Sequence, residues 1–328
     1  MIEAKSIGKF FSVINEKGLA EGLTAVLNVS LTIPDGTIVS ILGPSGCGKS
    51  TFLEILAGLQ APTDGTIHID GKLVLEPLPA TRKEQIAYRR RYRFISPLAN
   101  GVFRDHPKHD IAMIFQDYAV FPWMTVLQNV VFALKLRNAD KRSGDKRSAD
   151  KRNADKRSDD KRSGDRHGTA KLKRRELEEK AFFYLHKVDL AVSAHKYPSQ
   201  LSGGMRQRLA LARALSVEPK IILMDEPFAA VDALTREKLQ DELLRLWDET
   251  GETGAPITVI LVTHDTQEAV YLSDEVIVFS PGPGTIRNRI QISVKRPRAR
   301  TDAELTEIQE RILAMFQYDI NQESDYSI

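Results

Sequence analysis

Residues 43–50 read GPSGCGKS, following the apolar run TIVSIL and leading into TFLEILAGL. A glycine loop between a buried strand and a helix is suited to cradle phosphate. Gly43, Gly46 and Gly48 let the backbone curl so that successive N–H groups point inward, and the helix start offers its unpaired donors to the same anion. Lys49 can then reach the outer phosphates, and Ser50 can ligate Mg²⁺. Pro44, Ser45, Cys47 and Thr51 fill out the binding stretch. The implied ligand is a nucleoside triphosphate, and a thiol reagent at Cys47 is expected to inhibit, with the nucleotide protecting.

The run IILMDEP at 221–227 ends in two carboxylates. Mg²⁺ on a phosphate loop needs an acidic second anchor, which is Asp225. Glu226 beside it can take a proton from attacking water and orient that water in line. His264 closes TVILVT, a position from which an imidazole can hydrogen-bond the γ-phosphate and hold Glu226 and water in register. Gln116, at the end of IAMIF, can coordinate Mg²⁺ or water through its amide oxygen. Alone, Gln116 and His264 read as ordinary polar residues at strand ends; the other motifs give them meaning. In LSGGMRQR at 201–208, Ser202, Gly203 and Gly204 open a helix and form a second anion-binding start. A chain with its own phosphate loop has little use for another unless it completes the site of a neighbouring molecule. A head-to-tail dimer is therefore expected.

These residues need a scaffold, and four short apolar runs (TIVSIL, IAMIF, IILM and TVILV) alternating with helical patterns give an α/β signature. Ligands on such sheets bind beyond the carboxyl ends of strands, where Gly43, Gln116, Asp225, Glu226 and His264 all fall. Between Gln116 and Leu201 the strand signals stop. Thr125 and Gln128 form a capping box opening VLQNVVFALKLR, and RRELEEKAFFYLHKV carries an apolar stripe at Leu177, Ala181, Phe182, Leu185 and Val188. Phe121, Pro122 and Trp123 would be costly to expose without purpose, which suggests a docking surface. A second capping box is expected at Thr301 and Glu304, opening a short terminal helix with Leu305, Ile308, Ile312 and Phe316 turned to the core.

Two stretches stand apart. Residues 138–168 repeat DKR every five positions with nothing apolar larger than alanine, so they build no core and are expected to be a disordered insertion. Residues 73–108 read as a surface excursion, with Arg89, Arg90, Arg91 and Arg93 among aromatics. The chain of 328 residues balances 47 basic against 44 acidic side chains, too mild a surplus to indicate nucleic acid as a partner. Cys47 is the only cysteine, which excludes an intrachain disulfide and fits a reducing compartment. The start MIEAKSIGKFFSV lacks secretory-signal features and no apolar stretch approaches a membrane span, so a soluble chain is expected.

Taken in order, the phosphate loop, Gln116, LSGGMRQR, DEP, Asp232 in AAVDALTRE and His264 resemble the motifs of ATP-binding cassette ATPases. FPWMTVLQNVVFALKL, DEPFAAVDALTRE, LQDELLRLW and THDTQEAVYLSD look like the ATPase subunits of nitrate, sulfonate and taurine importers. The likeness covers most of the chain. It implies an α/β P-loop NTPase (RecA-like) core with an antiparallel β subdomain and an inserted α-helical subdomain. The implied division is a first core part at 1–116 with the 73–108 insertion, a helical subdomain at 117–200 with the repeat, a second core part at 201–282 and a C-terminal extension at 283–328. It implies ATP and Mg²⁺ as cofactors, with Ser50, Gln116 and Asp225 around the metal and Glu226, His264 and Gln116 as catalytic groups. Phe11 should stack on adenine, Asp232 should sit at a homodimer seam, and Ser202 with its glycines should clasp the opposite nucleotide. The implied partners are a membrane permease and a substrate-binding protein, at the cytoplasmic face of the inner membrane. Ala229 and Val231 depart from the glycine and leucine common in the family. The rival expectation is a soluble cassette ATPase acting on nucleic acid or ribosomes, although one phosphate loop, one LSGGMRQR and no sustained heptads favour transport.

Overall fold

The computed structural model describes residues 1–14, 20–77, 102–103, 111–150, 166–253 and 256–325. The Arg89–Arg93 cluster and repeat residues 151–165 lie outside the described residues. The elements run β1 (Ile2–Ile14), β2 (Ala20–Ile33), β3 (Ile38–Leu42), α1 (Lys49–Leu56), β4 (Asp64–Ile69), β5 (Lys72–Glu76), β6 (Val102–Phe103) and β7 (Ile111–Ile114). They continue with α2 (Val126–Asp150), α3 (Arg166–Lys187), α4 (Gly203–Ser216), β8 (Ile221–Asp225), α5 (Ala233–Thr253), β9 (Thr258–Thr263), α6 (Thr266–Leu272), β10 (Glu275–Phe279), β11 (Ile286–Gln291) and α7 (Ala303–Asp325). Two compact units form: Met1–Pro107 with Lys220–Pro227 and Leu243–Ile328, and Lys108–Pro219 with Phe228–Glu242.

The first unit holds two sheets. In one, β10, β3, β9 and β8 run parallel, with β11 antiparallel at the β10 edge. Strands β3, β9 and β10 are buried along their whole length, as runs of Ile, Val and Leu require when both faces are covered. Register matters here: Leu42 pairs with Thr263, and Asp225 pairs with Val262, so three strands end side by side. The expected strand runs in TIVSIL, IILM and TVILV are these three. The other sheet is antiparallel, in the order β2-β1-β4-β5-β6. Its β1–β2 pairing shifts register between Ala4 and Ile7, Ile7 and Lys9, and Lys9 and Phe10. Those bulges break the alternation that would have marked β1 as a strand in the sequence.

Helix α7 packs Leu305, Ile308 and Ile312 with Ala269 and Val270 of α6 and with Leu42 at the end of β3. The expected terminal helix is therefore present, but its cap differs from the expected box. Asp302 accepts from the Glu304 N–H through Oδ1 at 3.0 Å, and its backbone carbonyl accepts from Thr306. Glu304 turns instead to the Ser293 hydroxyl, 2.7 Å away. An aspartate one residue inside Thr301 displaces it because a carboxylate is the stronger acceptor at a helix start.

In the second unit the Thr125–Gln128 box forms as expected, the Thr125 N–H donating to Gln128 Oε1 at 2.9 Å and the Gln128 N–H to Thr125 Oγ1 at 3.3 Å. Helices α2, α3 and α4 bury Val130 and Leu134, Ala181 and Leu185, and Leu209 and Ala212. Contrary to the expectation of disorder across 138–168, α2 stays helical to Asp150 and α3 begins at Arg166. Lack of an apolar stripe removes core packing, yet Ala, Lys and Arg are good helix formers and no proline interrupts this stretch.

Candidate functional site

The phosphate loop leaves β3 at Leu42 and enters α1 at Lys49. Gly48 caps that helix with φ 95°, and a Cβ there would lie 2.2 Å from the Ala25 carbonyl oxygen. Only glycine satisfies both constraints. Gly46 is also left-handed at φ 78°. The Lys49 ammonium is buried and donates to the carbonyls of Gly43 at 2.9 Å and Pro44 at 2.8 Å, so the cation sits over the loop's own backbone. Cys47 is 1% exposed, and burial pushes its thiol up despite the nearby Lys49. The expected inhibition by a thiol reagent therefore has to start from a buried thiol whose thiolate is disfavoured, which makes it a slow target.

Strand β8 delivers its two carboxylates to the same edge. The Ser50 hydroxyl donates to Asp225 Oδ1 at 2.9 Å. Burial raises the Asp225 carboxyl above its ordinary range, with the Ser50 bond opposing and the charges of Glu226 and Glu54 adding to the rise. Glu226 takes φ 43°, a left-handed backbone that costs a non-glycine residue on the order of 1–3 kcal/mol. Its N–H donates to the Val262 carbonyl at 3.0 Å, which anchors the strained turn to β9. The result is that Glu226 Oε2 lies 3.3 Å from His264 Nδ1. His264 itself sits where β9 turns into α6. The Asp265 N–H donates to Thr263 Oγ1, and Asp265 Oδ1 caps α6 by accepting from Glu268, both at 3.0 Å. Thr263 is not singled out by any motif in the sequence; a hydroxyl two residues before a capping aspartate is its signal.

Gly43, Lys49, Ser50, Asp225, Glu226 and His264 are thus brought together within the first unit. Phe11 lies on β1 of that unit, half-buried, with the Lys9 ammonium 5.0 Å from its ring centroid. Gln116, Ser202, Gly203, Gly204 and Asp232 belong to the second unit. There, Ser202 is the N-cap of α4, its hydroxyl accepting from Met205 at 3.2 Å. A Cβ on Gly204 would come within 2.8 Å of Thr235 Cγ2, so α4 and the start of α5 are in close approach. Asp232 accepts from the Thr235 N–H at 3.0 Å, a bond that holds its carboxyl below the ordinary range. Trp123 is 68% exposed and stacks with Phe121 at 5.4 Å between centroids. Arg213 lies over the Phe121 ring and donates to the Ala119 carbonyl.

A phosphate loop between a parallel strand and a helix, with paired carboxylates at the end of β8 one strand beyond β9, defines an α/β P-loop NTPase core with an antiparallel β subdomain and helices inserted in the chain. The family model described as ABC transporter matches residues 26–229, and the chain belongs to that family. It is an ATP-binding ATPase of a transporter, from a class whose cassettes dimerise and work with membrane permease subunits. The chain is 36% identical over 296 residues to an uncharacterised ABC transporter ATP-binding protein of Methanocaldococcus jannaschii, spanning 90% of this chain and 85% of that one. It is 33% identical to the nitrate import ATP-binding protein NrtD of Synechococcus elongatus, spanning 84% of this chain and 77% of that protein. The bicarbonate transport ATP-binding protein CmpD of a Synechocystis species is also 33% identical, across 84% and 75%. Among solved structures, a dimeric post-hydrolysis state of an ATP-binding cassette bound to ADP and Pi superposes with a TM-score of 0.60 and 29% identity, covering 90% of this chain and all of that one. Among the described residues no helix is long and apolar enough to cross a membrane.

Proposed function

We propose that the chain energises the import of a small anion, of the nitrate, sulfonate or taurine kind, through a separate permease served by a substrate-binding protein. The observation that carries this reading is the 33% identity to nitrate and bicarbonate transport ATP-binding proteins along 84% of the chain. On this reading the chain sits peripherally at the cytoplasmic face of the inner membrane, and the Phe121–Trp123 segment near Gln116 meets the permease.

Residues 43–51 wrap the triphosphate with backbone N–H groups, and Lys49 leaves its loop carbonyls to meet the outer phosphates. Phe11 stacks on the adenine. Ser50 and Asp225 would hold Mg²⁺, joined by Gln116; the Ser50 Oγ and Asp225 Oδ1 pair supplies the hard oxygen donors that this ion prefers. Once bound, the ion would neutralise charge developing on the phosphates.

Glu226 orients water for in-line attack and accepts its proton, while His264 holds Glu226 through Nδ1 and faces the γ-phosphate. Ser202, Gly203 and Gly204 clasp the nucleotide of a second copy, with Asp232 at the seam of the homodimer. The division into core parts at 1–116 and 201–282, a helical subdomain at 117–200 and an extension at 283–328 belongs to the same proposal.

Reconstitution with the cognate permease in proteoliposomes tests it. ATP turnover should rise when binding protein loaded with the transported anion is present outside. Turnover that instead responds to RNA or ribosomes, and ignores permease, would replace this reading with the soluble one.

A further inference from the structure

The basic run KRPRAR occupies residues 295–300. In the fold, three of its arginines turn inward onto α6. Arg298 is 8% exposed and donates from Nη1 to the carbonyls of Val270 at 3.0 Å, Tyr271 at 2.9 Å and Ser273 at 2.7 Å. Its Nε donates to Val294 at 2.8 Å, which folds the run onto itself. Arg296 donates to the Leu272 carbonyl and pairs with Asp274. Its guanidinium also lies 4.9 Å from the centroid of the Trp247 ring. Arg300 stacks 3.8 Å above Tyr271. Two arginines thus supply the donors for four consecutive carbonyls, those of residues 270–273.

These are the carbonyls that a helix end leaves without partners. Helix α6 has seven residues, too few to hold its own conformation, so its placement comes from what grips it. One grip is apolar, from α7 and from β3 and β10 through Ala269 and Val270. Another, at the C-terminal end, is the arginine run. The N-terminal end of the same helix starts immediately after His264, whose imidazole is 56% exposed and meets Glu226 at 3.3 Å. A side chain so open has little packing to fix it, and its position follows the backbone of the turn. Burying Arg298 is costly: desolvation first, and the neighbouring Arg296 second, push its guanidinium down to about 10. The charge of Asp274, itself paired with Arg296, offsets that cost only in part, so the carbonyl contacts are what retain the buried cation.

We propose that Arg298, supported by Arg296, is a positioning residue for ATP hydrolysis: it locks the C-terminal end of α6 and so sets the register of His264 with Glu226. The proposal rests on the reading of His264 and Glu226 as catalytic. It makes the C-terminal extension part of the hydrolytic machinery.

The test uses the full chain, with ATP turnover measured for Arg298→Met, His264→Ala and the double variant, and nucleotide affinity measured with a fluorescent ATP analogue. Arg298→Met should lower kcat by about tenfold or more, the scale at which a sub-ångström to 1 Å misplacement is felt, with affinity unchanged. The double variant should be no slower than His264→Ala alone, because the arginine acts through the histidine. Full additivity, or a wild-type kcat in Arg298→Met on an enzyme that needs His264, overturns the proposal while leaving the histidine's role intact. Wild-type turnover of His264→Ala overturns that role, and the proposal with it. Should Arg298→Met fail to fold, Arg296→Gln carries the same comparison with a smaller loss expected, because the Arg298 contacts remain; additivity there is equally fatal.

Discussion

The two units carry chemistry-bearing residues in different ways. In the first, Gly43, Asp225, Glu226 and His264 lie at or just beyond the ends of short strands whose register is fixed by burial on both faces. In the second, Ser202 and Asp232 are held by local devices, a hydroxyl cap and a side-chain turn, each a single hydrogen bond from solvent. A sheet with aligned strand ends resists displacement, because moving one strand costs buried contacts along all of it. A cap can be remade by small helix movement. The rigid half therefore suits groups that must be aligned within fractions of an ångström, and the adjustable half suits groups that approach a ligand from outside.

The comparison is broken most decisively at Glu226. Glu226→Gln keeps the fold and the shape of the side chain but removes the proton acceptor, so turnover should fall by roughly 10²–10⁴-fold with nucleotide binding retained. Gel filtration with ATP should then show an accumulated dimer. Near-normal hydrolysis would mean that the carboxylate facing His264 is not the base. A step down in size, Gly204→Ala puts a methyl 2.8 Å from Thr235 Cγ2 and 3.6 Å from Leu239 Cδ1, so the Thr235 side chain or α4 must shift at the contact with α5. Turnover should fall on the order of tenfold while binding of nucleotide to the isolated chain stays unchanged, since the glycine belongs to the half that reaches outward. If the variant instead loses nucleotide binding in the monomer, the division of labour between the two units is wrong.

The same contrast explains what could be read from the chain. Strands β3, β8 and β9 were legible because burial on both faces demands continuous Ile, Val and Leu, and each ends in residues with recognisable chemistry. Strands β1 and β2 supply no such run: bulges at Ala4/Ile7, Ile7/Lys9 and Lys9/Phe10 scramble the period, and only the resemblance to known ATPases pointed to an antiparallel sheet. The Thr125–Gln128 cap was legible because both partners are side chains at fixed spacing. The roles of Arg296 and Arg298 were not, because their partners are backbone carbonyls, which every residue carries and no sequence pattern marks. The repeat shows a different failure: its composition led to an expectation of disorder, yet α2 runs helical to Asp150, since a backbone needs no apolar stripe to stay helical.

Cys47 sharpens the comparison at smaller cost. Its sulfur lies 2.9 Å from where a Cβ on Gly43 would be, and the side chain is enclosed by the loop it stabilises. A thiol whose pKa is raised holds less thiolate at neutral pH than a free cysteine, so labelling by a maleimide should be slow, should accelerate as pH rises past the ordinary thiol range, and should run to completion only after denaturation. Rapid stoichiometric labelling of the native chain at pH 7 would show that the phosphate loop opens, and that the first unit is less rigid than its strands suggest.

The smallest effect belongs to the polar tie in the second unit, where Glu218 pairs with Arg137 of α2 and accepts from the Tyr184 hydroxyl of α3 at 3.2 Å. The Arg137 bond, followed by burial acting the other way, leaves the Glu218 carboxyl below its ordinary range, and burial raises the Tyr184 phenol to about 12. For a carboxylate with a depressed folded value, the stabilisation is complete above its unfolded pKa and fades as pH falls through the folded one. Glu218 is 54% exposed, so solvent screens the pair and Glu218→Gln should cost less than ~1 kcal/mol at neutral pH. The variant and the parent chain should therefore converge in melting temperature as the pH is lowered below the carboxylate range. A gap that persists in acid would locate the tie's contribution in packing between α2 and α3, and not in charge.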